Sequence, residues 1–201
     1  SVAGGVLHIQ ELRRHRVGLT LDLSIGGRQL LDVPMRDNAL RVYLPARTYR
    51  MLRAETRSGE IEVSGGLSFD RAVLRSASGD VEFRAAVRNE LRIHTASGDI
   101  EVKHSAPERM QLETASGDVE LSGCGASSVT VRTSSGDVEF ADCDKTALDI
   151  RTASGDIDGR FSVPRAVSAS SVSGEIDVPR SGSGAPCVLH TVSGDIDVCV
   201  K

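Results

Sequence analysis

Ser97-Gly98-Asp99-Ile100-Glu101-Val102 decides the fold, because it recurs eight times with small changes. The glycines are Gly59, Gly79, Gly98, Gly117, Gly136, Gly155, Gly174 and Gly194, at spacings of 19 or 20 residues. So regular a period is the mark of a solenoid, in which each repeat is one coil.

Outward from the glycine the columns stay in step. Ser always precedes it, and an acid always follows: Glu60, Asp80, Asp99, Asp118, Asp137, Asp156, Glu175 and Asp195. Then come Ile or Val, a second acid and usually another apolar residue. This period-two alternation reads as a short strand with one face buried. A second strand lies upstream. Seven before the glycine stand residues such as Leu52, Leu91, Met110 and Cys187; five before stand Leu74, Ile93, Val131 and Leu189. Three before, the residue is always Thr or Ser. Each coil is therefore strand, Ser-Gly-acid turn, strand and a return of about seven residues. The turn glycine is expected to need positive φ. One coil cannot bury its own apolar face, so coils stack into parallel sheets, about 4.8 Å per layer. The expected fold is all-β, a parallel β-helix of about eight coils over residues 51–201. Right-handed winding is expected because parallel crossovers default to it.

Two details refine the stack. Small residues recur seven after the glycine, at Gly66, Ala86, Ser105, Cys124, Cys143, Ser162 and Ser181, and read as an inward corner. Phe140 falls one coil before Gly159, so its ring is expected to lie over the missing side chain. Cys124 and Cys143 should be stacked neighbours, within disulfide range if oxidised; two reduced thiols filling a corner is the alternative. Cys187 falls in a core column and Cys199 outside the regular ones. With no Cys-x-x-Cys pair, a zinc site is not expected.

Residues 1–50 lack the motif. Leu19 to Ile25 alternate as a strand, Gly26-Gly27 signals a turn or hairpin, and Leu40, Val42 and Leu44 alternate up to Pro45. This segment reads as degenerate coils or a cap for the first end. Nothing comparable follows the last coil, so its edge, with Val198 and Val200, is expected to be open and to offer a homodimer contact.

Charge is the strongest functional signal. The chain carries 28 acids and 24 Lys plus Arg, net −4. Sixteen acids fall in the two columns after the glycine, which leaves a surplus of 12 positive charges elsewhere. One face should be a carboxylate ladder and the rest basic. Aromatics are 3% and Trp is absent, which argues against base-stacking platforms and hence against nucleic acid. No run long enough to span a bilayer is present.

The Val42-Tyr43-Leu44-Pro45 strand, the following Leu52–Thr56 strand and the tandem Thr-Ala-Ser-Gly-Asp repeats resemble the bacterial adhesin-domain family of uncharacterised function. The resemblance covers roughly residues 40–201. It implies a β-helical domain similar in plan to autotransporter adhesin heads. It also implies an extracytoplasmic, cell-surface setting, tethered by a segment outside this chain. It supplies no catalytic residues.

The residues themselves point the same way. A catalytic site should break the repeat at one place, and no Ser–His–Asp or metal-ligand spacing appears. His94 and His190 share an outward column but stand five coils apart; His8, His15 and His104 have no evident partners. No enzyme and no cofactor are expected. Ca²⁺ is the one candidate ion, with Asp99, Glu101, Asp118, Glu120, Asp137 and Glu139 as candidate ligands. Against it stands a solvated surface, each acid tied to its own turn backbone, with Arg75, Arg132 and Arg151 nearby. A non-catalytic interaction scaffold is the expected function, with a surface glycan, protein or membrane component as partner. An end-to-end polymerising filament protein, or a polysaccharide-acting β-helix enzyme, is the alternative.

Overall fold

The computed structural model describes residues 6–10, 23–25, 28–31, 44–180 and 182–201. Among the described residues there is no helix. Two sheets face each other, one of eleven strands and one of eight, with every strand pair parallel except those made by Leu23–Ile25. Each coil contributes one strand to each sheet, joined by the Ser-Gly-acid turn. We number the coils 1 to 8 by their glycines, Gly59 to Gly194.

The alternation explains why these segments pair as they do. In the eight-stranded sheet, Ile61, Val81, Ile100, Val119, Val138 and Ile157 align coil by coil. All but Ile61 are buried, and Ile61 is partly so. In the eleven-stranded sheet, Leu52, Ala72, Leu91, Met110, Val129 and Leu148 form one inward column. Ala54, Leu74, Ile93, Leu112, Val131 and Ile150 form the next. A one-residue slip would turn every one of these side chains outward, so the pattern fixes the register.

The chain order fails at one end. Coil 8, not coil 7, stacks on coil 6. Its strands Cys187–His190 and Ile196–Val200 pair with Ala147–Arg151 and Ile157–Phe161 of coil 6. Coil 7, with strands Ser168–Ser170 and Ile176–Asp177, lies outside coil 8. The spatial order is therefore 1-2-3-4-5-6-8-7. The C-terminal coil is interior, so the edge expected there belongs to coil 7, where Ile176 is 41% and Val172 75% exposed.

At the other end, Val6–Gln10 runs parallel to Met51–Glu55, extending the eleven-stranded sheet. Leu23–Ile25 pairs antiparallel with Arg28–Leu31, and through Ser24 with His8. This is the hairpin signalled around Gly26-Gly27. Those two glycines, the start of the Leu19–Ile25 strand and the Leu40–Val42 alternation lie outside the described residues.

The turn glycines differ from expectation. None has positive φ; that conformation occurs at Gly66, Gly123, Gly182 and Gly184. Glycine is needed in the repeat for a different reason. A Cβ on Gly117 would collide with the carbonyl of Gly98, and one on Gly98 with that of Gly79. The contact continues through Gly155 to Gly194 and then to Gly174, in the exchanged order. The glycines form a ladder of backbones too close for any side chain.

Two side-chain ladders flank it. The Thr114 hydroxyl accepts from Gly117 N–H at 3.0 Å and donates to the Gly98 carbonyl at 3.2 Å. Asp99 Oδ1 accepts the backbone N–H of Asp118 at 2.9 Å, and Asp118 Oδ1 that of Asp137 at 2.8 Å. The turn acids thus tie to the next coil's backbone, not to their own turn as the sequence suggested.

Phe140 packs over Gly159 as read from the sequence: a Cβ there would enter the ring. Phe161 lies beside Phe140, centroids 5.3 Å apart. The small-residue corner holds only partly. Ser105, Cys124 and Cys143 are buried, but Gly66, Ala86 and Ser162 are exposed, with Ala85 and Phe161 buried one position earlier. Ser181 lies outside the described residues.

Candidate functional site

The outward faces of the two sheets divide the charge. On the eight-stranded sheet the second acids align as Glu62, Glu82, Glu101, Glu120, Glu139 and Asp158, followed by Asp197 and Asp177. Cations interrupt this ladder in the early coils. Arg84 pairs with Glu82 and, at 3.7 Å, with Glu101. Lys103 pairs with Glu101 and, at 3.5 Å, with Glu120. The Lys103 hydrogen bond holds the Glu101 carboxyl below its ordinary range. Further along, Asp158 is pushed up, first by burial and then by the carboxylates of Asp197, Asp156, Glu139 and Asp137.

The six candidate ligands are thus brought onto one face but not into one site. Asp99, Asp118 and Asp137 are engaged with backbone N–H groups, and Glu101 and Glu120 with Lys103. Glu139 stands in the later, cation-poor part of the ladder. Among the described residues, no three His, Cys, Asp or Glu side chains gather as metal ligands.

The outward face of the eleven-stranded sheet is the basic one. One column runs Glu55, Arg75, His94, Glu113, Arg132, Arg151, His190 and Ser170. The coil exchange places His190 four rungs from His94, not five, so about 19 Å separates them. They cannot act on one bond. Two contiguous depressions follow this column, about 390 Å³ and 280 Å³, sharing His94 and Glu113. His94 Nδ1 lies 3.6 Å from the Glu113 carboxylate. Arg92 bonds Glu90, and Arg151 bonds Asp149, each within its own strand.

Sequence reasoning singled out Arg75, Arg132 and Arg151 here but missed Arg71, Arg92 and Arg109. The signal was available: they occupy outward positions four or two residues upstream in the same alternation. It also missed Arg165, fully buried between coils. Its guanidinium donates to the carbonyls of Cys143, Asp144, Thr146, Ala185 and Pro186 and lies 4.5 Å over the Phe161 ring. No periodic column contains it, so repeat alignment could not find it.

Cys124 and Cys143 are buried, adjacent and free. A thiol–thiol hydrogen bond and burial hold Cys143 well above the ordinary thiol range. Burial pushes Cys187 up to about 11. Cys199 is free and exposed. No described helix is long and apolar enough to cross a membrane.

Set against known proteins, neither a curated protein nor a solved structure matches the chain. Its residues 19–199 do match a family, described as Toastrack DUF4097. That span takes in the hairpin strands and nearly every coil, and the chain belongs to this Toastrack family.

Proposed function

We propose that this Toastrack solenoid is a non-catalytic interaction scaffold of the extracytoplasmic, adhesin-like kind, acting at a bacterial cell surface. The observation that carries the reading is the repetition of its polar groups. Thr hydroxyls, turn carboxylates and glycine backbones recur coil after coil, and each is spent on the stack itself. What remains free is two long faces of opposite charge. Such surfaces suit an extended partner better than a small substrate, which needs converging groups in a concave pocket.

Compartment is testable through the cysteines. Cys199 is the one exposed thiol among the described residues, and Cys124, Cys143 and Cys187 are buried. In intact producing cells, a maleimide unable to cross the cytoplasmic membrane should label the protein at Cys199. Labelling only after lysis contradicts the extracytoplasmic reading.

Filament formation is the second reading, favoured by the coil 7 end. The large exposed hydrophobics Val163, Val172, Ile176, Val188, Val192 and Val200 all belong to coils 6 to 8. An uncovered strand edge with apolar neighbours is a template for pairing. Light scattering across protein concentration separates a monomer, a closed dimer through coil 7 and a growing filament.

A further inference from the structure

We propose that the outward face of the eleven-stranded sheet, from coil 2 to coil 5, binds a linear anionic polysaccharide lying along the solenoid axis, held by the free guanidinium groups of Arg71, Arg75, Arg109 and Arg132. This rests on the scaffold reading above and names its ligand.

Four observations converge on this face. First, its cations are not all neutralised. Among the described residues, these four exposed arginines have no carboxylate in ion-pair range, and the two acids that share their columns, Glu90 and Glu113, are directed to other side chains. Glu90 sits between Arg71 and Arg109 but bonds Arg92 at 2.7 Å. Glu113, beside Arg132, faces His94.

Second, the spacing suits a chain and not a single ion. Arg75 and Arg132 are three rungs apart, about 14 Å, and Arg71 and Arg109 two rungs, about 10 Å. The four outline an elongated frame, too wide to converge on one phosphate. In a polymer with a carboxylate or sulfate on every sugar, groups two and three sugars apart can meet the paired arginines at the same time.

Third, the frame encloses a groove. The larger depression lies within it, lined by Val73, Arg92 and Gln111 of the central column, with Thr130 next in register; the smaller continues from His94 and Glu113 past Arg132 toward the Ser-Gly turns. An amide, a hydroxyl and an aliphatic side chain match the hydroxyls and C–H faces of sugar rings.

Fourth, the rival polyanions fit less well. The rings of Tyr49, Phe69, Phe83, Phe140 and Phe161 are all buried, so no described aromatic is available to stack a base. The large exposed hydrophobics lie toward the far end, in coils 6 to 8, so the face has no apolar side chain of that size to insert among lipids. The opposite face carries the carboxylate ladder and repels any polyanion.

Sodium polygalacturonate, with one carboxylate per sugar, is the test probe; neutral dextran and a single-stranded oligonucleotide are the comparisons. The intact chain should bind polygalacturonate, weaken steeply with salt, and bind dextran and oligonucleotide less well. Arg75→Glu with Arg132→Glu should weaken polygalacturonate binding about tenfold or more. Lys145→Glu with Arg160→Glu makes the same change in net charge off this face and should leave binding within about twofold. Equal loss in both double variants, retention in the first, preference for the oligonucleotide, or no binding by the intact chain would each overturn the proposal. Shortening of the polymer during incubation would instead overturn the non-catalytic reading, whatever the groove binds.

Discussion

Coils 7 and 8 follow one another in the chain and exchange places in space. Coil 8 carries the full repeat: Cys187 and Leu189 inward on one strand, Thr191 at the turn, Asp195 after the glycine, Ile196 and Val198 inward on the other. Coil 7 is depleted at the same positions. Ala169 replaces the large apolar residue, Ser171 the Thr, and Glu175 the Asp. An interior coil must present a complete ladder to both neighbours. Coil 8 does, since Asp195 N–H donates to Asp156 Oδ1 and Asp195 Oδ1 accepts from Glu175 N–H. Coil 7 needs only one complete side. Coil 1, first of the repeat coils, likewise carries Glu60 after its glycine. The turn acid separates the two kinds of place: it is Asp in every coil with neighbours on both sides in the eight-stranded sheet and Glu in coils 1 and 7 at its ends, whereas Ala and Ser also occur in interior coil 2, at Ala72 and Ser76.

Arg165 holds the exchange. It lies on the segment leaving coil 6 for coil 7, and it binds Ala185 and Pro186 on the segment entering coil 8. The largest effect is therefore expected from Arg165→Met, which keeps an apolar stem but leaves buried carbonyls without donors. A loss on the order of 3–5 kcal/mol is expected. Hydrogen exchange should show the loss first in coils 7 and 8. Uniform loss along the stack would separate Arg165 from the exchange.

Next come the glycines. Gly117→Ala forces a Cβ into the Gly98 backbone and should cost about 1–3 kcal/mol or more. At Gly59 the nearest atom to a new Cβ among the described residues is Thr56 Oγ1, 3.2 Å away, and no described glycine precedes it in the ladder. Gly59→Ala should cost less than about 1 kcal/mol. Similar denaturation midpoints for the two variants would contradict the backbone ladder.

The smallest effect concerns the acid face. The folded protein raises Asp158 above an ordinary carboxyl, so its charged form is disfavoured on folding. That penalty is present above the raised value and fades as pH falls through it. Asp158→Asn should therefore be more stable than the parent at neutral pH, by less than about 1 kcal/mol because the site is largely solvated. The difference should close in acid. At Glu101, lowered by Lys103, the sign reverses: that pair supports the fold at neutral pH, and the support is lost as pH falls.

Much of this was legible in the sequence. The coil count, both inward columns, the Phe140–Gly159 contact and the stacked thiols follow from a 19-residue period combined with alternation. What was not legible depended on contacts between coils distant in sequence. Spacing alone cannot show that Gly117 is glycine because of Gly98, since a positive-φ turn would leave the same letter. The one trace of the coil exchange in the sequence is Glu175, which matches Glu60 at the other end, but that change looks like ordinary drift until a neighbour is assigned. The arginine frame was half visible: the sequence marks Arg75 and Arg132 as outward, while Arg71 and Arg109 acquire meaning only once Glu90 is seen bonded to Arg92.

The exchanged order is tested most directly by one new cysteine. Arg160 of coil 6 is the register partner of Cys199 of coil 8, and both are exposed. Neighbouring strands place the two Cα atoms about 4.8 Å apart, within disulfide range. Under mild oxidation, Arg160→Cys should form an intramolecular bond to Cys199, detected by peptide mapping without reductant. If coil 7 lay between coils 6 and 8, those positions would be two layers apart and would not bond. Absence of that bond, together with a bond between Arg160→Cys and Pro179→Cys in a Cys199→Ser background, would contradict the exchange.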